Sequence, residues 1–273
     1  MDDPDQVLLE RARAGDGAAL EALLERHQAQ IYRFGMTMCR DPEDAKDVLQ
    51  DTLVAMARGI REFRGASSLS TWLYTIARSH CIKRHRRSKF VQEERSLDAD
   101  PAAATALPDP ARGPDEAVAG KQVEQALAEA IDALEPTYRE VLVLRDVEGL
   151  TAPEVGEVLG ISAAAVKTRL HRARLAVRAH VAPRLGIPEA PAAAGTCPDV
   201  LTMFSQHLEH EIDAEVCAQM ERHLEGCARC RGACDSLKRT LALCRTTAPA
   251  APVPPSVQAA VKLALRATLR DGA

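Results

Sequence analysis

The sequence is poor in aromatic residues and has no long apolar run. Only 3% of its 273 residues are Phe, Trp or Tyr, and no useful stretch alternates apolar and polar residues, which argues against β-sheet. A membrane-spanning helix needs about 18 consecutive apolar residues, and no such run is present. The charged, amphipathic N-terminus is unlike a signal peptide. Abundant Ala and Leu favour an all-α protein, which we expect in the cytoplasm.

A strong positive charge is also missing. The formal net charge of −4 excludes a surface that attracts nucleic acid uniformly. Basic residues are concentrated in 78–89 and 163–178, whereas acidic residues dominate 1–25, 41–51 and 93–116. Contacts with nucleic acid are therefore expected in the two basic segments.

Stretches rich in Pro and Ala divide the chain. Gly15, Asp41-Pro42 and Gly65 interrupt the helical periodicity of the first segment, which predicts several helices there. Four prolines, seven acidic residues and no aromatic residue in 93–116 predict a flexible linker. The predicted helical domains are 5–90, 117–182 and 197–245; the linkers are 91–116 and 183–196; and 246–273 combines a Pro/Ala linker with a terminal amphipathic helix.

Residues 150–178 predict two helices joined by a tight turn. Thr151 and Glu154 have the spacing of a capping box, and Gly160 is the expected end of this helix. Ser162 can cap the next one. A helix-turn-helix of this kind places its second helix in the major groove of DNA. The alternative is a solvated basic helix on an ordinary helical bundle.

The second of these helices carries cations and no carboxylate. Val166, Leu170 and Val177 are expected to face inward. Base contacts are expected near the N-terminus of such a helix, and phosphate contacts further along. The cations that remain for the outer face are Lys167, Arg169, Arg172, Arg174 and Arg178.

The first segment combines an amphipathic helix with a polar loop and a basic helix. In 41–58, an apolar stripe opposes an acidic face. Phe63, Trp72 and Tyr74 lie near the loop 64–71, and aromatics beside basic charge suit single-stranded nucleic acid. Core packing is the alternative, and we prefer it for Trp72. The apolar stripe consists of Ala45, Val48, Leu49, Leu53 and Met56, and the polar face of Asp44, Asp47, Gln50 and Asp51.

Six of the eight cysteines lie in 197–244. Clustered cysteines in a cytoplasmic protein more often bind metal than form disulfides. His223, Cys227 and Cys230 are spaced so that successive turns of one helix would present them on one face. Zn²⁺ requires a fourth ligand to complete a tetrahedron, and Cys197 is our choice. The alternative is a set of buried thiols on an amphipathic helix.

Three strings resemble the extracytoplasmic-function group of sigma subunits of bacterial RNA polymerase. They are DPEDAKDVLQDTLVAM, FRGASSLSTWLYTIAR and LEPTYREVLVLRDVEGLTAPEVGEVLGISAAAVKTRLHRAR, and the resemblance covers about residues 5–182. It implies two small helical sigma domains, the second with the helix-turn-helix, joined by a flexible linker. It also implies that Asp44, Asp47, Gln50 and Asp51 face core polymerase.

The same resemblance implies contacts with promoter DNA. The loop 64–71, with Arg64, Ser67 and Ser68, would take a flipped base of the −10 element. Further along, cations would follow the phosphates of that strand, while the helix-turn-helix meets the −35 element. The strand-following cations are Arg78, Lys83, Arg84, Arg86 and Arg87; the −35 contacts are Lys167, Thr168, His171 and Arg172; and Arg169 and Arg174 contact phosphate or pack.

The segment that begins CPDVLTMF and ends HLEGCARC resembles the zinc-binding anti-sigma domain. The resemblance implies one zinc ion and control in cis, because a short tether raises the effective concentration of the domain. Inhibition follows by analogy, although the domain could equally hold the sigma domains in a productive arrangement. Cys217, Cys234 and Cys244 either sense oxidants or soft metal ions or merely pack.

Three further interpretations concern an alternative function, catalysis and the end of the chain. A metal- or redox-responsive helix-turn-helix regulator that is no polymerase subunit is the alternative function, and it would not need 41–89. An enzyme is not favoured, because we find no nucleophile–base set and four zinc ligands leave no open position. The terminal helix 256–270 could cover the sigma domains or polymerase, or simply pack at the end of the chain.

Overall fold

The computed structural model describes residues 4–94, 114–184, 197–246 and 253–271. Within these ranges the chain forms twelve α-helices and one π-helical turn, and no strand. The predicted all-α fold is confirmed. Most of the predicted linkers 91–116 and 183–196 lies outside the described residues.

The helices cluster into two compact units. The first comprises Met1–Ala99, Glu157–Gly160 and Pro249–Ala273, and the second Asp100–Gly156 and Ile161–Ala248. The helices of the first unit are α1 (Pro4–Arg13), α2 (Gly17–Cys39), α3 (Pro42–Gly59), α4 (Leu69–Glu94) and, at the end of the chain, α12 (Pro255–Asp271). The predicted interruptions at Gly15, Asp41-Pro42 and Gly65 are confirmed, because Gly15, Asp41 and Gly65 each lie between two of these helices and Pro42 begins α3.

Helix α3 packs on α2 through its apolar stripe. All five predicted stripe residues are fully buried. The two helices approach closely at Gly35, where an added Cβ would lie 3.2 Å from Cα of Ala45. Asp41 caps α3 by accepting hydrogen bonds from the N–H groups of Glu43 and Asp44, as helix N-termini require. Helix α12 also packs against α3, and its Val257 and Val261 are buried.

The second unit contains the other helices, except for the end of α7 (Ala152–Leu159) from Glu157 onward. In chain order they are α5 (Pro114–Ala133), α6 (Pro136–Leu142), the π-helical turn (Val143–Val147), α7, α8 (Ala163–Val181), α9 (Val200–Leu208), α10 (Ala214–Gly226) and α11 (Ala228–Thr246). Helix α8 contacts α5, α6, α9 and α11, and α11 also contacts the π-helical turn. Helices α9 and α11 of the predicted zinc domain therefore pack on α8.

The predicted helix-turn-helix is present as α7 and α8. The capping box forms, because the N–H of Thr151 donates to Oε2 of Glu154 at 2.8 Å and the N–H of Glu154 to Oγ1 of Thr151 at 3.4 Å. Gly160 ends α7 with φ +68°, a value that favours glycine. A Cβ on Gly156 would lie 2.7 Å from the carbonyl oxygen of Ile161, so the tight turn requires glycine there.

The predicted zinc domain has a small core of its own. Val200 and Phe204 of α9, Met220 of α10, and Leu237 and Leu241 of α11 form one buried cluster. Cys230 and Cys234 belong to the same cluster. Three short helices with so few large apolar residues form a core at the lower limit of independent stability, so a bound metal would contribute strongly to it.

Candidate metal centre and nucleic-acid interface

Four residues of the second unit form a candidate metal centre. One ligand atom each from Cys197, His223, Cys227 and Cys230 lies within 4.8 Å of the other three. Cys197 precedes α9, His223 lies in the last turn of α10, and Cys230 lies in the first turn of α11. The structure thus brings the four predicted ligands together from three parts of the domain.

The predicted single helix carrying His223, Cys227 and Cys230 is wrong. Helix α10 ends at Gly226, and Cys227 has φ −120° and ψ 97°, which is extended backbone. Glycine is a poor helix former. Helix α10 therefore ends at Gly226, and α11 starts at Ala228, after the single residue Cys227. The break turns the three side chains toward Cys197 in a way that one straight helix would not.

The residues present fit a zinc ion. Nε2 of His223 is buried and has no hydrogen-bond partner among the described residues, as expected of a nitrogen that binds a metal. Three thiols and one imidazole are a common ligand set for structural zinc, with tetrahedral bonds of about 2.0–2.3 Å. Four protein ligands close the site, so any ion here would stabilise the fold rather than activate water.

The thiols of this centre differ in acidity. Burial raises the pKa of Cys230 to about 11. Hydrogen bonds from the backbone and side chain of Cys230 lower the pKa of Cys227. Because zinc binds thiolates, its binding would release protons and would weaken at low pH.

The predicted zinc domain, which we call the tail, has three cysteines outside the metal centre, and they are poor candidates for fast redox chemistry. Cys234 and Cys244 are buried, and burial raises the pKa of both, that of Cys244 to about 12. Burial and the charge of Glu221 raise the pKa of Cys217, whose Sγ lies 3.5 Å from Nδ1 of His207. Since the thiolate is the reactive form, the structure favours packing for Cys234 and Cys244.

Arg174 was predicted on the outer face of α8, the recognition helix of the helix-turn-helix, but it is buried, with 1% of its surface exposed. It follows Leu170 by four residues and precedes Val177 by three, so it lies on the inward face of α8. Its Nε and Nη2 donate to the two oxygens of Asp146 at 2.8 and 2.7 Å. This bidentate pair joins α8 to the π-helical turn.

Glu209, which follows α9, completes this buried charge cluster. Its Oε1 accepts from Nη2 of Arg174 at 2.7 Å, and its Oε2 accepts from Nε of Arg145 at 3.2 Å. Burial alone would lower the pKa of Arg174, but Asp146 and Glu209 outweigh it and raise that pKa. Two guanidinium groups and two carboxylates thus compensate one another. We call Arg145, Asp146, Arg174 and Glu209 the buried charge cluster.

The contacts of the tail extend along the predicted −35 surface. Nζ of Lys167 donates to the carbonyl oxygen of Glu209 at 3.0 Å, and it lies 3.6 Å from Oε1 of Glu211. Nε2 of His171 lies 3.1 Å from Oγ1 of Thr202 in α9. Burial lowers the pKa of His171.

The other residues of that surface remain more accessible. Thr168 and Arg172 are exposed and Arg169 is half-buried. Nη1 of Arg172 donates to the hydroxyl of Tyr138 at 3.2 Å. The recognition helix is therefore covered on one side, at Lys167 and His171, and open on the other.

In the first unit, Arg84 lies among the predicted polymerase-binding carboxylates. Its guanidinium is 2.7 Å from Oδ2 of Asp47, 3.4 Å from Oδ1 of Asp44 and 3.3 Å from Oδ2 of Asp51. Gln50 is half-buried on the same helix. We call Arg84, Asp44, Asp47 and Asp51 the exposed charge cluster. A predicted DNA contact and a predicted polymerase contact thus bind each other.

The predicted −10 loop contains one residue with a structural role that the sequence analysis missed. Oγ of Ser68 accepts from the N–H of Thr71 at 3.2 Å, so Ser68 caps α4. Arg64 is exposed and Ser67 half-buried. In α4, Arg78 is half-buried and Lys83 exposed. The side chains of Arg86 and Arg87 lie outside the described residues.

The aromatic residues near this loop form part of the core. Tyr74 is buried and meets Phe34 edge-on, with ring centroids 5.3 Å apart. Trp72 is half-buried and packs on buried Phe63, with centroids 4.9 Å apart. Packing, which we preferred for Trp72, therefore describes all three residues near the loop.

Asp146, Arg145 and Glu209 were not predicted to have a role. The helical spacing of Arg174 from Leu170 and Val177 could have predicted such a role, because it places a charged side chain on the apolar face of α8. A buried arginine needs a carboxylate. The sequence does not identify the partner, because Asp146 and Glu209 are 28 and 35 residues from Arg174.

Among the described residues, no helix is both long and apolar enough to cross a membrane.

Three protein-family models match the chain. Residues 23–91 match "Sigma-70 region 2", residues 124–177 match "Sigma-70, region 4", and residues 197–231 match "Putative zinc-finger". The order of the matches is that of the predicted sigma domains and tail. The third match includes all four residues of the candidate metal centre.

The chain is also similar to known proteins, and each of these similarities covers most of the length of the known protein. The solved complex of the sigma factor RpoE with the anti-sigma factor NepR from Bartonella quintana has a TM-score of 0.49 and 21% identity, over 62% of this chain and 98% of that one. The ECF RNA polymerase sigma factor SigM of Mycobacterium tuberculosis strain H37Rv is 34% identical, over 62% of this chain and 81% of SigM. The RNA polymerase sigma-H factor of Pseudomonas aeruginosa is 30% identical, over 66% of this chain and 95% of its own. On the family-model matches and the sequence identity to SigM and sigma-H, the chain belongs to the ECF sigma factors of bacterial RNA polymerase and carries an anti-sigma-like zinc-finger region at its C-terminal side.

Proposed function

We propose that this sigma factor binds core RNA polymerase and promoter DNA, and that its zinc-binding tail restrains the −35 contact in cis. The observation that carries the proposal is the engagement of Arg174 and Lys167 by Glu209. The complex would act in the cytoplasm.

The polymerase contact is assigned to the polar face of α3, at Asp44, Asp47, Gln50 and Asp51. Carboxylates on a helix whose opposite side is buried in α2 suit a basic partner surface. Arg84 now neutralises part of this face. Docking would therefore exchange a weak exposed ion pair for contacts with the partner, which releases Arg84 toward the DNA strand.

DNA contacts are assigned to two regions. In the first unit they are the loop residues Arg64, Ser67 and Ser68, and the cations of α4. In the second unit, Thr168, Arg169 and Arg172 are the residues of the recognition helix that the tail leaves accessible. Lys167 and His171 would complete the −35 contact once the tail has moved away.

Zinc is assigned to Cys197, His223, Cys227 and Cys230. The bound ion would tie α9, α10 and α11 together, which a core this small needs. Glu209 lies in the segment between α9 and α10. The metal would therefore hold Glu209 in position against Arg174, although it contacts neither residue.

The contacts favour a tail that inhibits the −35 contact over a tail that supports it. A supporting domain would leave the cations of the recognition helix facing DNA. Here the carbonyl oxygen of Glu209 and the carboxylate of Glu211 instead contact Lys167, and Thr202 contacts His171, so that two side chains assigned to the −35 contact are occupied by the tail. The short tether keeps the local concentration of the tail in the millimolar range, so no separate inhibitor is required.

The alternative, a helix-turn-helix regulator that is no polymerase subunit, is not favoured. It leaves the match of residues 23–91 to sigma region 2 without explanation.

Reconstitution tests the sigma function. Core polymerase with and without the zinc-loaded chain transcribes fragmented genomic DNA, and the 5′ ends of the transcripts are mapped. We expect new start sites whose upstream DNA shares two sequence elements, separated as the −35 and −10 elements of a promoter are. Unchanged start sites, together with no binding of the chain to core polymerase, would contradict the proposal.

Substitution at Glu209 tests the restraint. Glu209→Gln removes the charge with little change in shape, and Glu209→Lys repels Arg174 and Arg145. Since coupling between sites is typically 5–150-fold, we expect transcription at a mapped promoter to rise by roughly 5-fold or more, with the larger effect for Glu209→Lys. Glu215→Gln is the matched control, because Glu215 is an exposed acid of the same domain in the first turn of α10. Lower transcription with both Glu209 variants would reverse the sign of the proposed regulation.

A further inference from the structure

Two cysteines outside the tail form a pair in the first unit. Cys39 is the last residue of α2, and Cys81 lies in the middle of α4. Their sulfur atoms are 3.0 Å apart, although the residues are 42 positions apart in the chain. Both are reduced thiols, and neither has a place in the zinc centre or in the proposed DNA contacts.

The surrounding structure holds the two sulfurs together. Arg40 has φ 62° and its N–H donates to the carbonyl oxygen of Met36, which fixes the end of α2. Phe34 of α2 packs edge-on against Tyr74 of α4 at 5.3 Å. Because these contacts lie in the same helix pair, the short separation of the thiols is a property of the packed unit.

The two thiols differ in accessibility. Cys39 is half-buried at a helix end, whereas Cys81 is 7% exposed within the core. A small oxidant from solution therefore reaches Cys39 first. Cys81 is shielded from solvent but lies beside the sulfur of Cys39, which is the arrangement of an attacked cysteine and a resolving cysteine.

We propose that Cys39 and Cys81 are an oxidisable dithiol, which hydroperoxides convert to a disulfide that links α2 to α4. The sulfur–sulfur distance must shorten by about 1 Å to reach the length of a disulfide. A shift of this size at a helix end leaves the α2–α4 packing intact. The assignment depends on the geometry of this pair and on neither zinc binding nor sigma activity.

The chemistry needs one hydroperoxide per disulfide. The thiolate of Cys39 attacks the terminal peroxide oxygen, the O–O bond breaks, and the alcohol (water, for hydrogen peroxide) leaves. Cys39 is then a sulfenic acid. The sulfur of Cys81 attacks the sulfur of Cys39, the S–S bond forms and the S–O bond breaks, and the hydroxyl group leaves with the proton of Cys81 as water. The two thiols lose two electrons, which the peroxide gains, and a cellular dithiol reverses the step.

The crosslink forms next to the exposed charge cluster. Cys81 precedes Arg84 by three residues in α4 and follows Arg78 by three. A disulfide between Cys81 and Cys39 restricts the motion of α4 relative to α2, the helix on which α3 packs. Disulfides of this transient kind are the ones found in reducing compartments.

Thiol mapping tests the proposal on the full, zinc-loaded chain. The chain is titrated with hydrogen peroxide, remaining thiols are blocked with N-ethylmaleimide, and peptides are identified by mass spectrometry before and after reduction. Zinc release is followed with a chromogenic chelator. We expect a Cys39–Cys81 peptide in most chains at peroxide concentrations that leave zinc bound, its loss on adding dithiothreitol, and a raised melting temperature of the oxidised chain.

Cys39→Ser is the principal variant, because the substituted side chain is partly exposed and its helix end tolerates a hydroxyl. It should abolish the crosslink and the rise in melting temperature, while Cys217→Ser should change neither. Cys81→Ala should leave Cys39 as a sulfenic acid that dimedone traps, which is measurable on any fraction that folds. The proposal is overturned if both thiols remain fully alkylated at peroxide concentrations that already release zinc. It is also overturned if oxidised Cys39 is found linked only to other cysteines.

Discussion

Two arginines of this chain, both predicted to contact DNA, lie among carboxylates in different surroundings. In the exposed charge cluster, the side chain of Arg84 is 24% exposed and that of Asp47 55% exposed. In the buried charge cluster, Arg174 and Asp146 are each 1% exposed and Glu209 is 5% exposed. The distances of the closest ion pairs are the same, 2.7 Å.

The difference between the clusters lies in the cost of separating the charges. An exposed pair contributes about 0–1 kcal/mol and is screened by salt, so DNA or polymerase can displace it. Removing one partner from a buried pair costs about 3–5 kcal/mol, because a charge is left without compensation in a poorly solvated place. We therefore expect Arg84 to exchange partners readily, and Arg174 to remain with Asp146 even when the tail moves away.

Metal removal should have the largest effect, and only on the buried cluster. A structural zinc ion contributes about 10–16 kcal/mol to the folding of zinc-finger peptides, more than a core of three short helices provides. We expect a strong chelator, or Cys227→Ser, to unfold α9–α11 and to detach Glu209 from Arg174. This unfolding would be measured as a smaller helical circular dichroism signal and as faster amide exchange in residues 197–246.

Tryptophan fluorescence provides the internal control for this experiment. The chain has one tryptophan, Trp72, which packs on Phe63 in the first unit. Its emission should not change on chelation, and Cys217→Ser should keep the metal. Retention of all helical signal after complete zinc removal would show that the tail does not depend on the metal.

Asp146→Asn should have the next largest effect. The amide keeps the shape of Asp146 but leaves Arg174 and Arg145 with one carboxylate between them. We expect the free energy of unfolding of the second unit to fall by about 3–5 kcal/mol, with little dependence on salt. Urea denaturation followed by circular dichroism measures the loss, and the transition reported by Trp72 should stay in place. A loss below 1 kcal/mol would mean that water solvates the cluster in solution.

The two clusters also show how far the sequence could be interpreted. The capping box, the glycine at the end of α7, the stripe of α3 and three of the four metal-binding candidates follow from local spacing, and the structure contains each of them. The buried position of Arg174 also follows from helical spacing, but Arg174 was predicted on the outer face because it is charged. Its partners could not be predicted, since they depend on how the π-helical turn and the segment after α9 pack against α8.

The break of the metal-binding segment at Cys227 is a third kind of case. His223, Cys227 and Cys230 were correctly brought together, but for the wrong reason, because one glycine before Cys227 ends α10. Helical spacing and the geometry around a turn happen to give the same neighbours here. The choice of Cys197 instead came from its position just before the apolar stretch VLTMF.

Glu209→Gln should have a moderate effect on stability, smaller than that of Asp146→Asn. Arg174 keeps both hydrogen bonds to Asp146, and the amide of glutamine can still accept one from Arg145. A hydrogen bond to a charged group contributes about 1.5–3 kcal/mol, which bounds the loss. Urea denaturation at fixed zinc concentration measures it. Equal losses for Glu209→Gln and Glu211→Gln would contradict the distinction between a buried and an exposed contact.

Asp47→Asn should have the smallest effect and is the sharpest test of the exposed cluster. Asp44 and Asp51 remain within 3.4 Å of Arg84, so the guanidinium keeps two carboxylates, and mutual repulsion among the three acids is relieved. We expect a change below about 1 kcal/mol in the unfolding transition reported by Trp72, vanishing near 1 M salt, where the screening length is about 3 Å. Glu62→Gln, an exposed acid outside the cluster, is the control. A salt-independent loss of several kcal/mol would place Arg84 in the same class as Arg174, and Arg84 could then not be released to a DNA strand.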